Sequence, residues 1–179
     1  MHCANKVVLR AMEPSDVNLI YDWENDSSEW ASSSNYCPSS YADIKRFVET
    51  SSADIYETRQ MRQMVVDAVT GRRVGYVDMF DFDPFNMHGG VGVYIEKCSR
   101  NKGYASSAID IFTNYLFDVL SLVTVIATIR EDNKYSEKLF LSNGYQLVGS
   151  RKVWIRVGNK WFDEMIYQRV RWYEEVSKT

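Results

Sequence analysis

No apolar run in the 179 residues reaches the ~18 needed to span a membrane. The opening MHCANKVVLR lacks the apolar core of a signal peptide, so the cytoplasm is the default location. Histidine is nearly missing, with His2 and His88 alone, and no cysteines cluster beside them. A metal site such as zinc is therefore not expected. Cys3, Cys37 and Cys98 are odd in number and show no pairing pattern, so they read as free thiols in a reducing compartment. Internal repeats, low-complexity tracts and a linker-like stretch are absent. One domain over 1–179 follows, long enough for a sizeable core. Two common phosphate fingerprints, G-x-x-x-x-G-K-[ST] and G-x-G-x-x-G, are missing as well.

What is present is an ordinary mixture of 45% hydrophobic and 25% charged residues. The net charge of −3 argues against nucleic acid as the main partner. Residues 1–60 hold ten acidic and five basic residues, so the rest of the chain carries a surplus of two positive charges. An acidic N-terminal third could attract a cationic substrate, and a solvated surface is the plainer reading.

Periodicity gives the element order. Lys6–Met12 reads as a strand, and 13–26 as a helix with Pro14 in its first turn. A second helix, 39–50, has Ser40 as its cap and Tyr41, Ile44, Phe47 and Val48 on one face. Two strands joined at Thr70-Gly71 follow, then a strand over Gly89–Glu96. A helix from about Gly103 to Val119, a doubly buried strand over Leu122–Ile129 and a short helix from Asn133 to Gly144 come next. A long hairpin turning at Gly158-Asn159 closes the chain. Strand–helix–strand around 103–118 implies one parallel crossover in a mostly antiparallel sheet, an α/β mixed (α+β) architecture.

The segment SRNKGYASSAIDIF, Ser99 to Phe112, joins a strand end to a helix start. Unpaired N–H groups and a partial positive charge at a helix start suit an anion. Gly103 allows close backbone approach, Ala105 and Ser106 are small, and Arg100 and Lys102 add charge at the rim. A pyrophosphate site is one reading of this stretch; a solvated surface helix start is the other.

Arg100-x-x-Gly103-x-Ala105 after a strand resembles the [QR]-x-x-G-x-[GA] signature of the GCN5-related N-acetyltransferase (GNAT) superfamily. Asn133-x-x-Ser136-x-x-Leu139-Phe140, followed by Gly144-Tyr145, resembles that family's second motif. Leu9–Asp16 and the segment from Val74 to Ile95 are similar to the spermidine/diamine and ribosomal-protein acetyltransferase branch, though its usual arginines and alanine are replaced around Met87–Gly90. The resemblance implies a central sheet with flanking helices and a splayed parallel strand pair. It also implies transfer of acetyl from acetyl-CoA to a primary amine of a small molecule, including polyamines such as spermidine. Acetyl-CoA would rest on Arg100, Asn101, Lys102, Gly103, Tyr104, Ala105 and Ser106. It would run along Val93, Tyr94 and Ile95 and meet Asn133, Ser136 and Phe140. Asn133 is also readable as a plain helix cap.

An alkylamine is mostly protonated at neutral pH, so attack needs a proton acceptor. Asp78 and Asp81 align with acidic positions of the branch. Residues three apart on a strand face opposite sides unless a bulge intervenes. Asp81 is the favoured base or ammonium anchor, Asp83 its substitute, and a solvent-facing carboxylate the plainer alternative. Glu24, with Asp26, Glu29 and neighbouring tryptophans, could line an acceptor pocket. Most tryptophans are otherwise expected in core or hairpin packing. Phe140 stands where the family often carries a tyrosine acid, so a catalytically weak CoA-binding sensor stays open beside the enzyme. A protein N-terminus stays open as acceptor, and the exposed hairpin could pair with a second subunit in a homo-oligomer.

Overall fold

Period-two patterning resolves into seven strands of one sheet, ordered β1-β2-β3-β4-β5-β7-β6, in a computed structural model that describes residues 6–30, 37–51 and 54–171. The strands are β1 (Val7–Ala11), β2 (Met61–Asp67), β3 (Arg73–Asp83), β4 (His88–Ile95), β5 (Thr124–Arg130), β6 (Gln146–Val157) and β7 (Lys160–Val170). The helices are α1 (Val17–Glu24), α2 (Tyr41–Glu49), α3 (Ile55–Thr58), α4 (Tyr104–Asp118) and α5 (Lys134–Ser142). Every adjacent pair is antiparallel except β4–β5, which α4 connects as a parallel crossover. The mixed sheet with its parallel pair and flanking helices is the architecture expected from the sequence. His2, Cys3 and Trp172 lie outside the described residues. Cys37 and Cys98 are free and exposed.

Each face of the sheet has its own core. On one side Ala108, Ile109, Phe112 and Leu116 of α4 pack on Val65, Val77, Met79, Val91 and Ile95. On the other, Val17, Ile20 and Trp23 of α1 and Ile44 and Val48 of α2 cover Met64 and Tyr76. Alternation along β3 therefore sends Val77 and Met79 toward α4, and Tyr76 and Asp78 toward α1.

Three local expectations change. The helix expected over 13–26 opens as a single 3-10 turn, Pro14–Asp16, before α1. Asp16 is wholly buried and accepts from Arg10 at 2.7 and 2.9 Å, from Arg73 at 3.0 Å and from the Glu13 N–H at 2.8 Å. Those bonds fix the tighter turn. The one-turn α3, unmarked by periodicity, follows from Asp54 capping the Tyr56 N–H at 2.8 Å. Trp154 and Trp161, expected in packing, stand more than half exposed on the terminal hairpin.

Asp16 also sets an acid limit. Burial by itself raises its pKa, but the hydrogen bonds from Arg10, Glu13 and Arg73 outweigh burial and bring it from 3.8 to about 2. A depressed carboxylate contributes stability that is complete above the unfolded value and lost as pH falls through the folded one. Denaturant unfolding between pH 5 and about 2 should show wild type losing stability below about pH 4. Asp16→Asn should start lower and lose less over that window. Parallel curves for the two proteins would contradict this assignment.

Candidate active site

β4 and β5 pair only at His88–Thr124, Gly89–Val125 and Gly90–Ile126. Beyond Gly90 they part, β4 staying on β3 and β5 on β7. The expected splay is present, and it leaves one edge of β4 open in the middle of a sheet. The Glu96 N–H bonds Val74 O at 2.9 Å, which sets the alternation along β4. Main-chain groups of Tyr94 turn to β3, whereas those of Val91, Val93 and Ile95 turn to the gap. Arg100 Nε already holds Ile95 O at 2.8 Å. Of the three positions expected to pair with an extended ligand, Val93 faces the gap with both groups, and Val91, missed in the sequence, joins it.

The gap opens toward the start of α4. Gly103 is the N-cap at φ 84°, and no side chain caps the helix. Ser107 N–H is the first to bond back, to Gly103 O at 3.1 Å. Asn101 is also left-handed, at φ 62°. This bend presents a row of main-chain N–H groups, which suits a diphosphate. The basic side chains are arranged differently from expectation. Arg100 pairs with Glu29 at 2.6 Å, and Lys102 Nζ donates to Cys98 O at 3.0 Å. Lys6, from the start of β1, donates to Lys102 O at 2.9 Å. All three brace the loop rather than line its rim. Tyr104 is drawn away too, its hydroxyl bonded to Asp67.

Beside α4 lies α5. Asn133 Oδ1 accepts the Ser136 N–H at 3.1 Å, the cap that the plainer reading expects. Asn143 Nδ2 donates to Ser106 Oγ at 3.2 Å and ties the two helices together. Phe140 is buried, its ring edge-on to Tyr145 at 5.0 Å. Tyr145 is no substitute acid, because burial pushes its hydroxyl up to about 12 and it is bonded to Thr113 at 2.8 Å. Tyr135 is almost wholly exposed.

On the α1 side of the sheet, Asp78 faces Gly92 across the β3–β4 ladder. Glu24 and Asp78, separate in sequence, are brought together by Arg62, which sequence reasoning missed. Arg62 gives Asp78 two bonds, 2.6 and 3.1 Å, and Glu24 one of 2.6 Å. Burial raises the Asp78 pKa and the guanidinium opposes that rise. The missed signal was a cation on the same strand face as Met64 within MRQMVVD. Asp81 sits apart, exposed, at φ 51° in the bulge between Phe80 and Asp83. This is the bulge that a shared orientation of Asp78 and Asp81 would need. Asp83 accepts from the Phe85 and Asn86 N–H groups at 2.8 and 3.0 Å and so fixes the β3–β4 turn. Asp26 and Glu29 are matched by Lys97 and Arg100 at 2.8 and 2.6 Å. Among the described residues no group of three or more His, Cys, Asp or Glu could hold a metal ion.

Comparison with known proteins agrees with this geometry. A family model described as an acetyltransferase (GNAT) domain matches residues 6–146. An uncharacterized N-acetyltransferase of Bacillus subtilis, YnaD, is 28% identical over 171 residues, 93% of this chain and 95% of that protein. Spermidine N-acetyltransferase from Vibrio cholerae, solved with CoA and spermine, superposes with a TM-score of 0.84 at 17% identity, over 94% of this chain and 97% of that one. A GNAT-family acetyltransferase from Bacillus anthracis gives 0.77 at 23% identity, over 94% and 96%. A splayed parallel pair, an uncapped helix start behind it and a family match over most of the chain converge: this protein belongs to the GNAT family of acetyltransferases.

Proposed function

We propose that the protein transfers the acetyl group of acetyl-CoA to the primary amine of a small molecule. The observation that supports this reading most is the open edge of β4 leading to the uncapped start of α4. A bare edge suits an extended, amide-bearing arm, and the row of N–H groups suits its diphosphate. When bound, acetyl-CoA supplies an activated acyl group as a thioester. The chain's residues then have distinct tasks. Main-chain N–H groups over 101–106 hold the diphosphate, and Val91 and Val93 bond the arm. Asn133, Ser136 and Phe140 border it from α5. Asp81, exposed on its bulge, takes the amine's proton through water. No acid is needed for a thiolate, whose conjugate acid has a pKa near ~8.5. A cytoplasmic location fits the free thiols of Cys37 and Cys98.

The fold neighbours named for spermidine support an amine acceptor, and one of them is a dodecamer, which supports assembly of this chain as well. A thiol-release assay over an amine panel, with calorimetry on CoA, tests the reading. CoA binding with turnover is expected. CoA binding without turnover on any amine or peptide N-terminus would favour the sensor, and no CoA binding would end the reading altogether. In the same assay Phe140→Tyr should raise kcat by no more than about a hundredfold, the low end of general-acid assistance for so good a leaving group. A gain of a thousandfold would show that the missing acid limits the enzyme.

A further inference from the structure

On the α1 side of the sheet, two carboxylates and two aromatic rings form a cage of the kind that binds an organic cation. Glu24 and Asp78 supply the charge, and Phe47 and Tyr76 supply the ring faces. The cage is already filled by the chain itself. The Arg62 guanidinium lies 3.8 Å over the Tyr76 ring and 5.0 Å over Phe47. It engages both oxygens of Asp78 and Oε1 of Glu24, and the Tyr76 hydroxyl donates to the same Glu24 oxygen at 3.0 Å. Side-chain exposures of 14% for Arg62, 11% for Glu24 and 23% for Asp78 make this an interior group.

We propose that Arg62 is a specificity-determining residue: it occupies the place a second ammonium of the acceptor would take, and so restricts the enzyme to monoamines. The proposal rests on the acetyltransferase reading above. Asp78 lies opposite Gly92, two residues past Gly90, the last residue of β4 that pairs with β5. The cage therefore flanks the inner end of the gap. A polyamine whose terminal nitrogen reacts there would bring its next ammonium against this wall, where the guanidinium already holds both carboxylates. Asp26 and Glu29, past the C-terminal end of α1, are matched by Lys97 and Arg100. Asp81 remains for the reacting nitrogen alone. The apolar surface beside it is the Phe80 ring, which lies so close over Gly90 that a Cβ there would come within 2.3 Å. That surface suits the hydrocarbon body of a monoamine.

Pentylamine, cadaverine and spermidine as acceptors test the proposal, because the first two share a carbon chain and differ by one charge. For wild type, kcat/KM for pentylamine should exceed that for the other two at least tenfold. A spermidine or cadaverine value equal to or above that of pentylamine overturns the proposal. Arg62→Ala empties the cage and should shift the cadaverine-to-pentylamine ratio at least tenfold toward the diamine, with added guanidinium reversing the shift. Arg62→Lys keeps the cation and should keep the wild-type ratio. A merely structural role would lower kcat for all amines together, and an unchanged ratio in folded Arg62→Ala overturns the assignment. Should that variant not fold, the wild-type panel and Arg62→Lys decide. No turnover on any amine, with CoA bound, would instead overturn the small-amine reading itself.

Discussion

Gly103→Val should weaken CoA binding by about a hundredfold or more, measured by calorimetry on protein whose fold is checked by thermal melting. Gly103 sits at φ 84°, where a β-branched side chain is a genuine outlier. A Cβ there would also come 2.9 Å from Lys6 Nζ, the group that holds Lys102 O. Lys6 can swing its Nζ aside and release Lys102 O, but the strain at φ is relieved only if the peptide planes on either side of Gly103 rotate, and they carry the N–H groups of the cradle. Hydrogen bonds to a charged partner are worth about 1.5–3 kcal/mol each. Losing two costs about 3 kcal/mol or more, which corresponds to roughly a hundredfold in affinity. The global cost should stay near the ~1–2 kcal/mol of a left-handed non-glycine residue. Unchanged affinity in a folded Gly103→Val would show that the loop does not hold the diphosphate.

Gly75→Ala should be the most damaging single methyl in the sheet. Its Cβ would lie 1.9 Å from the Tyr94 carbonyl oxygen and 3.0 Å from Ile95 Cα, all backbone that no rotamer change can move. Overpacking of this kind costs about 1–3 kcal/mol, and a backbone obstacle puts Gly75 at the upper end. For a chain of this length, about 3 kcal/mol lowers Tm by about 6–12 °C. The effect should reach function too. Pushing Tyr94 and Ile95 displaces the open edge of β4, so affinity for CoA should fall with Tm. A melt within a degree or two of wild type would mean that β3 and β4 do not approach so closely.

The two predictions differ in how far the sequence foretold them. Gly103 could be singled out beforehand, because a glycine between basic residues at a strand-to-helix seam has a local reason to be there. Gly75 could not, since its constraint comes from Tyr94, nineteen residues away and on the next strand. The acidic residues divide the same way. The sequence offers Asp78, Asp81 and Glu24 as acceptor-site carboxylates, but the partner that Asp78 and Glu24 share lies across the fold. Arg62 meets Asp78 through the β2–β3 register and Glu24 through the packing of α1 on the sheet. Arg100 and Lys102, read as rim charges, turn out to be braces because Glu29 and main-chain carbonyls reach them first.

The sequence by itself determined the order of the strands and of the longer helices, the parallel crossover and the two motifs, because these depend on periodicity, turn residues and spacing along the chain. The tertiary structure alone decided which strand edges stay open, which carboxylates are paired within the chain, and which cation fills the cage on the α1 side. Those outcomes depend on register and on side chains meeting from distant segments, where a one-residue slip would turn Asp78 away from Arg62.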